Sequence, residues 1–422
     1  MNHKVVLMLV LAVGLAVASP ARADVVTEWN EIADGIFAAA PPFKNRVMAM
    51  VQVAVHDALN SIDPRYETYT GVQSVNRGAS PGAAVAAAAY QVLLQTVPSQ
   101  AAALGVIYNG KIAGLSCPAS HPTCIAEGIA AGEAAAFAIL SQRANDGSAT
   151  PNLPYTLPPA PGVHQPTPPN FPAPQFAGWA HVTPFVINSA SQFRADPSEI
   201  FDLLGEVFTR DYNEVKRVGR SDAEATGNRT PDQSAIARFW PGGGANFNLV
   251  ARIVVAGRGL DEWEQARLFA LVNVALHDDS ITVFDTKYTY NFWRPATAIR
   301  AGATDGNPAT DPDPNWLSYQ LTPPYPDYTC GLPNNTGAAL EVLRRYFGTD
   351  DIAYTLTAAG LTRSYSSLSQ AEAEAVDARV FGGMHFRTGC VVGIRQGEKV
   401  GRFVIQHALK EIKGKGKEKD NH

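Results

Sequence analysis

The sequence predicts an all-α protein, a bundle of helices joined by irregular loops. Ala-rich segments alternate with Pro-rich ones, apolar residues recur at helical spacing, and long alternating runs of Val, Ile and Thr are scarce. With 46% hydrophobic and 17% charged residues over 422 positions, the chain can bury a large core and is not a disordered or mainly solvating protein. Its 34 Lys plus Arg against 39 Asp plus Glu give a net charge of -5, so no positive field favours nucleic acid as a partner.

Residues 1–23 read as a signal peptide. Lys4 precedes an apolar run from Val5 to Val17, and Ala21-Arg22-Ala23 supplies the small-x-small pattern of a cleavage site before Asp24. That run is shorter than the roughly 20 residues of a bilayer-crossing helix, and no later segment reads as a membrane span. A periplasmic or secreted protein is the expectation, in a compartment that permits disulfides. An N-terminal helical region follows over 24–150. Within it Asn45 to Ile62 carries Val47, Met50, Val51, Ala54, Val55, Ala58 and Leu59 on one helical face, and Ala-rich helices are expected at Gly82–Gln95, Ser99–Leu115 and Ile125–Asn145. Ten prolines between Pro151 and Pro174 make 151–189 an extended linker or wrapping loop.

A second helical domain is expected over 190–412. There Asp261 with Glu264 reads as a capped start for a helix running through Leu268, Leu271, Val272 and Val274 toward Val283. Ser369 with Glu372 repeats the signal before Val376, Val380 and Phe381. Residues 413–422 are expected to be a basic, flexible, solvated tail. Of the four cysteines, Cys117 and Cys124 flank a short loop that suits a local bridge, and the spacings do not suit a structural zinc site. Local pairing plus one long-range bridge is the favoured arrangement.

Two short clusters carry chemistry. Lys287-Tyr-Thr-Tyr-Asn-Phe-Trp-Arg294-Pro295 spaces two cations close to two helical turns apart, so both can point one way before Pro295 ends the element. In Arg379-Val-Phe-Gly382-Gly383-Met-His385 a third cation precedes a histidine across two glycines. A point-charge Lys, two planar Arg forks and an imidazole together suit a tetrahedral oxyanion with oxygens in several directions. His277 reads instead as a core or surface histidine. No repeat, Walker loop, Rossmann glycine fingerprint or His-Glu-x-x-His pattern is present.

On these residues the chain resembles the vanadium-dependent haloperoxidases and type 2 phosphatidic acid phosphatases, in their secreted bacterial haloperoxidase-related branch. Asn291-Phe-Trp-Arg294-Pro295 and Gly382-Gly383-Met384-His385-Phe386 carry the likeness most specifically. Trp29-Asn-Glu-Ile, His56-Asp57-Ala58-Leu59-Asn60, Gly132-Glu133-Ala134 and Arg238-Phe239-Trp240 extend it over nearly the whole exported chain. The resemblance implies an all-α bundle in which Lys287, Arg294 and Arg379 hold vanadate or phosphate oxygens. It implies His385 as the metal ligand, or as the nucleophile of a phosphatase.

The middle motif departs from the family pattern. Where Pro-Ser-Gly-His follows the Pro-rich loop in the family, this chain reads Thr329-Cys330-Gly331-Leu332 after Pro323-Pro-Tyr-Pro-Asp327-Tyr. Gly331 can still offer its backbone N–H to an oxyanion, but Cys330 stands for the hydroxyl donor and Leu332 for the acid/base histidine. The family's Asp four residues after the ligand histidine is Gly389 here, so His385 is expected to lack an orienting carboxylate. Asp327, His277 and a water are the candidate substitutes for proton transfer. Because Cys330 and Cys390 replace or adjoin family site positions, the resemblance also implies a bridge between them. The function expected is a haloperoxidase acting on small molecules, peroxide and halide, with reduced or altered activity. A periplasmic acid phosphatase on a phosphate ester and a non-catalytic oxyanion-binding protein are the alternatives.

Overall fold

In the computed structural model, residues 24–412 are described; the expected signal peptide and basic tail lie outside them. The chain opens with α1 (Val25–Gly35), capped by the Asp24 carboxylate, which accepts from the Thr27 N–H. The next helix, α2 (Pro41–Ile62), starts four residues before the sequence suggests, because Pro41 and Pro42 fit a first turn whose N–H groups need no partner. Then come α3 (Pro81–Thr96), α4 (Ala101–Ala113) and α5 (Cys124–Arg143). Buried Ala83 to Ala89 make α3 slim enough for α5 to lie directly on it. A Cβ at Gly132 of α5 would come within 2.3 Å of the Ala84 carbonyl, so only glycine permits that approach. Among the described residues, α5 alone has the length and mean hydropathy of a bilayer-crossing helix, a feature not noticed in the sequence. It lies against α2 and α3 within the bundle. The Cys117–Cys124 disulfide forms as expected and closes the loop before it.

Residues 144–205 contain only short 3-10 turns and wrap rather than pack. Val163 pairs with Phe292, and the N–H of Gln175 donates to the Pro324 carbonyl at 2.8 Å. Consecutive N–H groups of Phe185, Val186 and Ile187 donate to the Asp278 carboxylate, and Asp278 lies on the longest helix. Burial nonetheless holds that carboxyl up at about 6.

The C-terminal half adds α6 (Glu206–Val218), α7 (Pro231–Phe239), α8 (Phe247–Val255) and α9 (Glu262–Tyr290), followed by α10 (Pro295–Arg300) and α11 (Gly331–Phe347). An antiparallel hairpin, β1 (Tyr354–Ala358) and β2 (Leu361–Tyr365), turns through Ala359 and Gly360, both at positive φ. The chain ends in α12 (Leu368–Phe381) and α13 (Arg387–His407). Asp261 and Glu264 form the expected capping box of α9. The start of α12 lies two residues earlier than the sequence suggests, because Ser367 rather than Ser369 accepts from the Gln370 N–H.

At the centre, α9 is buried along nearly its whole length between α2 on one side and α11 and α13 on the other. The α11–α13 contact is a glycine seam: a Cβ at Gly397 would meet the Asn334 carbonyl at 2.0 Å, one at Gly401 the Ala338 carbonyl at 2.4 Å, and one at Gly337 the Ile394 carbonyl at 2.3 Å. The two backbones therefore touch. This seam fixes the loops that lead into α11 and α13 relative to one another.

Candidate active site

Three chain breaks converge at one end of this helical core. The first is the C-terminus of α9, where Lys287 sits in the last turn and Asn291 takes the left-handed conformation at φ 52°. The helix therefore stops before Arg294, which is extended and caps α10 with Pro295 behind it. Lys287 and Arg294 do not share one helical face, as their spacing suggests, but are brought together by this reversal. Both cations sit 5.1 Å from the centre of the Tyr325 ring, which comes from the Pro-rich loop of the middle motif.

The second break joins α12 to α13. Arg379 lies in the last turn of α12, and Gly382-Gly383 turn the chain sharply before His385 and Phe386. Gly383 has φ +77°, and a Cβ there would strike the Gly219 carbonyl at 2.2 Å. The third break is the start of α11, where Gly331 opens the helix and its N–H has no acceptor within it.

All five sequence-predicted residues meet here. Lys287, Gly331, Arg379 and His385 line a cavity of about 480 Å³ together with Leu332, and Arg294 lies behind His385, fully buried. The Lys287 ammonium donates to the carbonyls of Pro326 at 2.9 Å and Asp327 at 3.0 Å, and also to that of Thr329. Burial foremost, with Arg294 beside it, brings its pKa down to about 7. Arg294 donates through Nε to the Tyr325 carbonyl at 2.7 Å and through Nη1 to the Met384 carbonyl at 2.9 Å. Its Nη1 also lies 2.7 Å from His385 Nε2. Two donors in this cluster have no acceptor, Nη2 of Arg294 and Nε of Arg379. Buried, unpaired guanidinium N–H groups are costly unless an anion meets them.

His385 is held neutral. Burial, then the charges of Arg294, Lys287 and Arg379, push it well below its usual pKa. Because Nε2 faces an Arg N–H, its lone pair lies there, and the ring proton sits on Nδ1. Nδ1 lies 2.9 Å from Oδ1 of Asp327, off the line of a well-formed hydrogen bond. The expected loss of an orienting carboxylate is thus corrected. A Cβ on Gly389 would come within 3.3 Å of Asp327 Oδ2, so the middle-motif carboxylate occupies the space that a side chain at 389 would need. Burial raises the Asp327 carboxyl to about 8 against the pull of Arg294 and Lys287, and Oδ1 can accept in either protonation state.

The Cys330–Cys390 bridge is also corrected, since both are buried free thiols. They contact each other, and burial of Cys330 is outweighed by the Cys390 hydrogen bond and by Arg379, Lys287 and Arg294, which leave its pKa at about 7. His277 is a core histidine beside Arg143 and Phe185, remote from these loops.

Two further features were not read from the sequence. Gln396 of α13 accepts from Thr329 Oγ1 at 2.6 Å and donates to Thr286 Oγ1 at 2.6 Å, and Asn334 donates to both Thr329 and Gln396. This network ties the middle motif to α9 and α13 beside Lys287. His164, from the wrapping segment, is buried with neither ring nitrogen paired, and burial with Arg294 and Lys287 lowers its pKa to about 3. Nothing in the spacing of single polar residues could have revealed either.

Residues 267–414 match the family model described as the second helical-bundle domain of VCPO. The vanadium chloroperoxidase of Curvularia inaequalis is 30% identical over 189 residues, which span 37% of this chain and 30% of that protein's length. A solved structure of a bacterial vanadium-dependent iodoperoxidase is 25% identical with a TM-score of 0.74, covering 92% of this chain and 96% of that one. A holo-type bacterial vanadium-dependent chloroperoxidase has the same fold at 18% identity and a TM-score of 0.68, over 89% and 95% of the two chains.

Proposed function

We propose, for a chain that belongs with the vanadium-dependent haloperoxidase superfamily, that the cavity binds vanadate or phosphate and that the protein is a secreted haloperoxidase-like enzyme using peroxide to oxidise halide. The observation that carries this is the pair of unpaired buried donors, Arg294 Nη2 and Arg379 Nε, beside the neutral Nε2 of His385. Such a set fits an oxyanion whose central atom accepts a nitrogen ligand.

In this reading Lys287, Arg294, Arg379 and the Gly331 N–H hold the oxygens, and His385 Nε2 is the metal ligand. Asp327 beside Nδ1 favours the tautomer with its lone pair on Nε2, which now faces Arg294 Nη1, so ligation requires that N–H to turn to an oxyanion oxygen instead. Bound vanadate supplies a Lewis-acidic centre at which peroxide becomes an oxygen donor to halide. The residues around it position and neutralise charge, and each charged hydrogen bond contributes roughly 1.5 to 3 kcal/mol in such shelter. Leu332 is an aliphatic cavity-wall residue that cannot move a proton, so the chemical step lacks a contribution of about 10²- to 10⁴-fold if no other group, such as Asp327 or a water, replaces it.

Vanadate titration and bromide oxidation test this together. Alanine at Lys287, Arg294 or Arg379 should weaken vanadate binding. Leu332→His should raise bromide oxidation at least tenfold per folded, vanadate-loaded molecule, the low end of an acid/base contribution being about 10². Wild-type vanadate affinity in all three alanine variants would reject the oxyanion site. Phosphate release from an ester without bromide oxidation would move the assignment to a phosphatase.

A further inference from the structure

Cys330 and Cys390 have no role in the oxyanion chemistry, yet they are built into the same end of the core. Cys330 precedes the cavity residue Gly331, and its N–H donates to the Gly389 carbonyl at 3.1 Å, which brings the two cysteine-bearing backbones side by side. Both thiols are fully buried, and Cys390 is hydrogen-bonded to Cys330. Arg379, Lys287 and Arg294 all act on the Cys330 sulfur.

With His385 the two sulfurs place three ligand atoms within 4.8 Å of one another, a spacing that a thiophilic cation could use. The electrostatics argue against that occupant. Three cations already act on the cluster, and each opposes the approach of a further positive ion. The same charges favour the anion that a sulfur nucleophile must become.

We propose that Cys330 and Cys390, buried just behind the cavity wall at Gly331, form a peroxide-reducing dithiol that needs no metal and that peroxide reaches from the cavity. The Cys330 sulfur attacks one oxygen of a hydroperoxide, the O–O bond breaks, and the departing oxygen takes the thiol proton to leave as water or alcohol. Cys330 is then a sulfenic acid. The Cys390 sulfur displaces its hydroxyl, which leaves as water with the Cys390 proton, and the S–S bond forms. Each peroxide is reduced by the two electrons of the two thiols, and further turnover requires an external thiol reductant.

This rests on the two thiols and the cations beside them, not on vanadate binding, so the test is run on metal-free protein with Cys330 and Cys390 as thiols and the Cys117–Cys124 bridge intact. Hydrogen peroxide is added in measured amounts and free thiols are counted by alkylation and peptide mapping. The expected result is loss of two thiols per peroxide and a new Cys330–Cys390 cross-linked peptide, with the Cys117–Cys124 bridge unchanged. Cys390→Ser should accumulate a sulfenic acid on Cys330 that a dione probe traps. In Cys330→Ser the remaining thiol should react at least about tenfold more slowly. Persistence of both wild-type thiols at peroxide levels that oxidise free cysteine would overturn the proposal. So would over-oxidation without the cross-link. The wild-type count stands whether or not either serine variant folds.

Discussion

Asp327 reaches within 2.9 Å of His385 from another segment of the chain, and a dependence of the histidine on it can be tested by moving the carboxylate. Asp327→Ala should raise the vanadate Kd roughly 10- to 100-fold, the usual cost of removing a partner behind a ligating histidine. Adding Gly389→Asp to that variant should recover much of the loss, because the freed volume lies against position 389. Titration of both variants checks it, and an unimproved double variant would show that Asp327 acts through packing. His277 offers a second residue-scale test. Burial first, then Arg143, lowers its pKa to about 3 from an ordinary 6.5. Its folded value is depressed, so between pH 6.5 and 3 the unfolded chain gains a proton that the folded chain refuses, and stability falls as pH falls. His277→Gln should flatten that acid limb by up to about 1.4 kcal/mol per pH unit in denaturant titrations across this window. Lys287, Arg294, Arg379 and His385 were legible in the sequence because each sits in a short, dense cluster. Asp327 as the His385 partner was not, since its meaning comes from a spatial exchange with Gly389 that a linear string does not display.

At the scale of elements, the helices of the core announce themselves by Ala content and apolar spacing, and the capping box of α9 fixes its start. Its end was harder to read. Phe292, Trp293 and Arg294 continue an apolar-and-charged pattern that a helix could use, and only the left-handed Asn291 breaks it. The hairpin of β1 and β2 escaped notice because its strands are five residues each and present alternation too briefly to stand out. The glycines of α13 carry the strongest element-scale prediction. Gly397→Ala places a methyl 2.0 Å from the Asn334 carbonyl, so α11 and α13 must part. Destabilisation of about 1–3 kcal/mol or more is expected in chemical unfolding. Vanadate affinity should fall as well, because the loops bearing Gly331 and His385 ride on these two helices. An unchanged midpoint would mean that the seam yields without cost.

On the scale of the whole molecule, the two helical regions read from the sequence share one core. Helix α2, buried from Val47 to Ile62, covers a long face of α9, and the wrapping segment supplies Phe176 to the cavity wall and three N–H groups to Asp278. A fragment of residues 190–412 should therefore fail to fold alone, binding a hydrophobic dye and melting without a cooperative transition, while addition of residues 24–189 in trans should restore one. A cooperative melt of the isolated fragment would show an independent domain. The glycine seam has a consequence for the history of such a pocket. Backbone-to-backbone contact sets the spacing of its loops and Thr329 is tied in through Gln396 and Asn334, so side-chain change at 330–332 is decoupled from the spacing of the helices. The pocket is then an exchangeable tool head on a fixed shaft, in which a histidine at 332 and a thiol or hydroxyl at 330 are separate steps open to a randomised library at three codons.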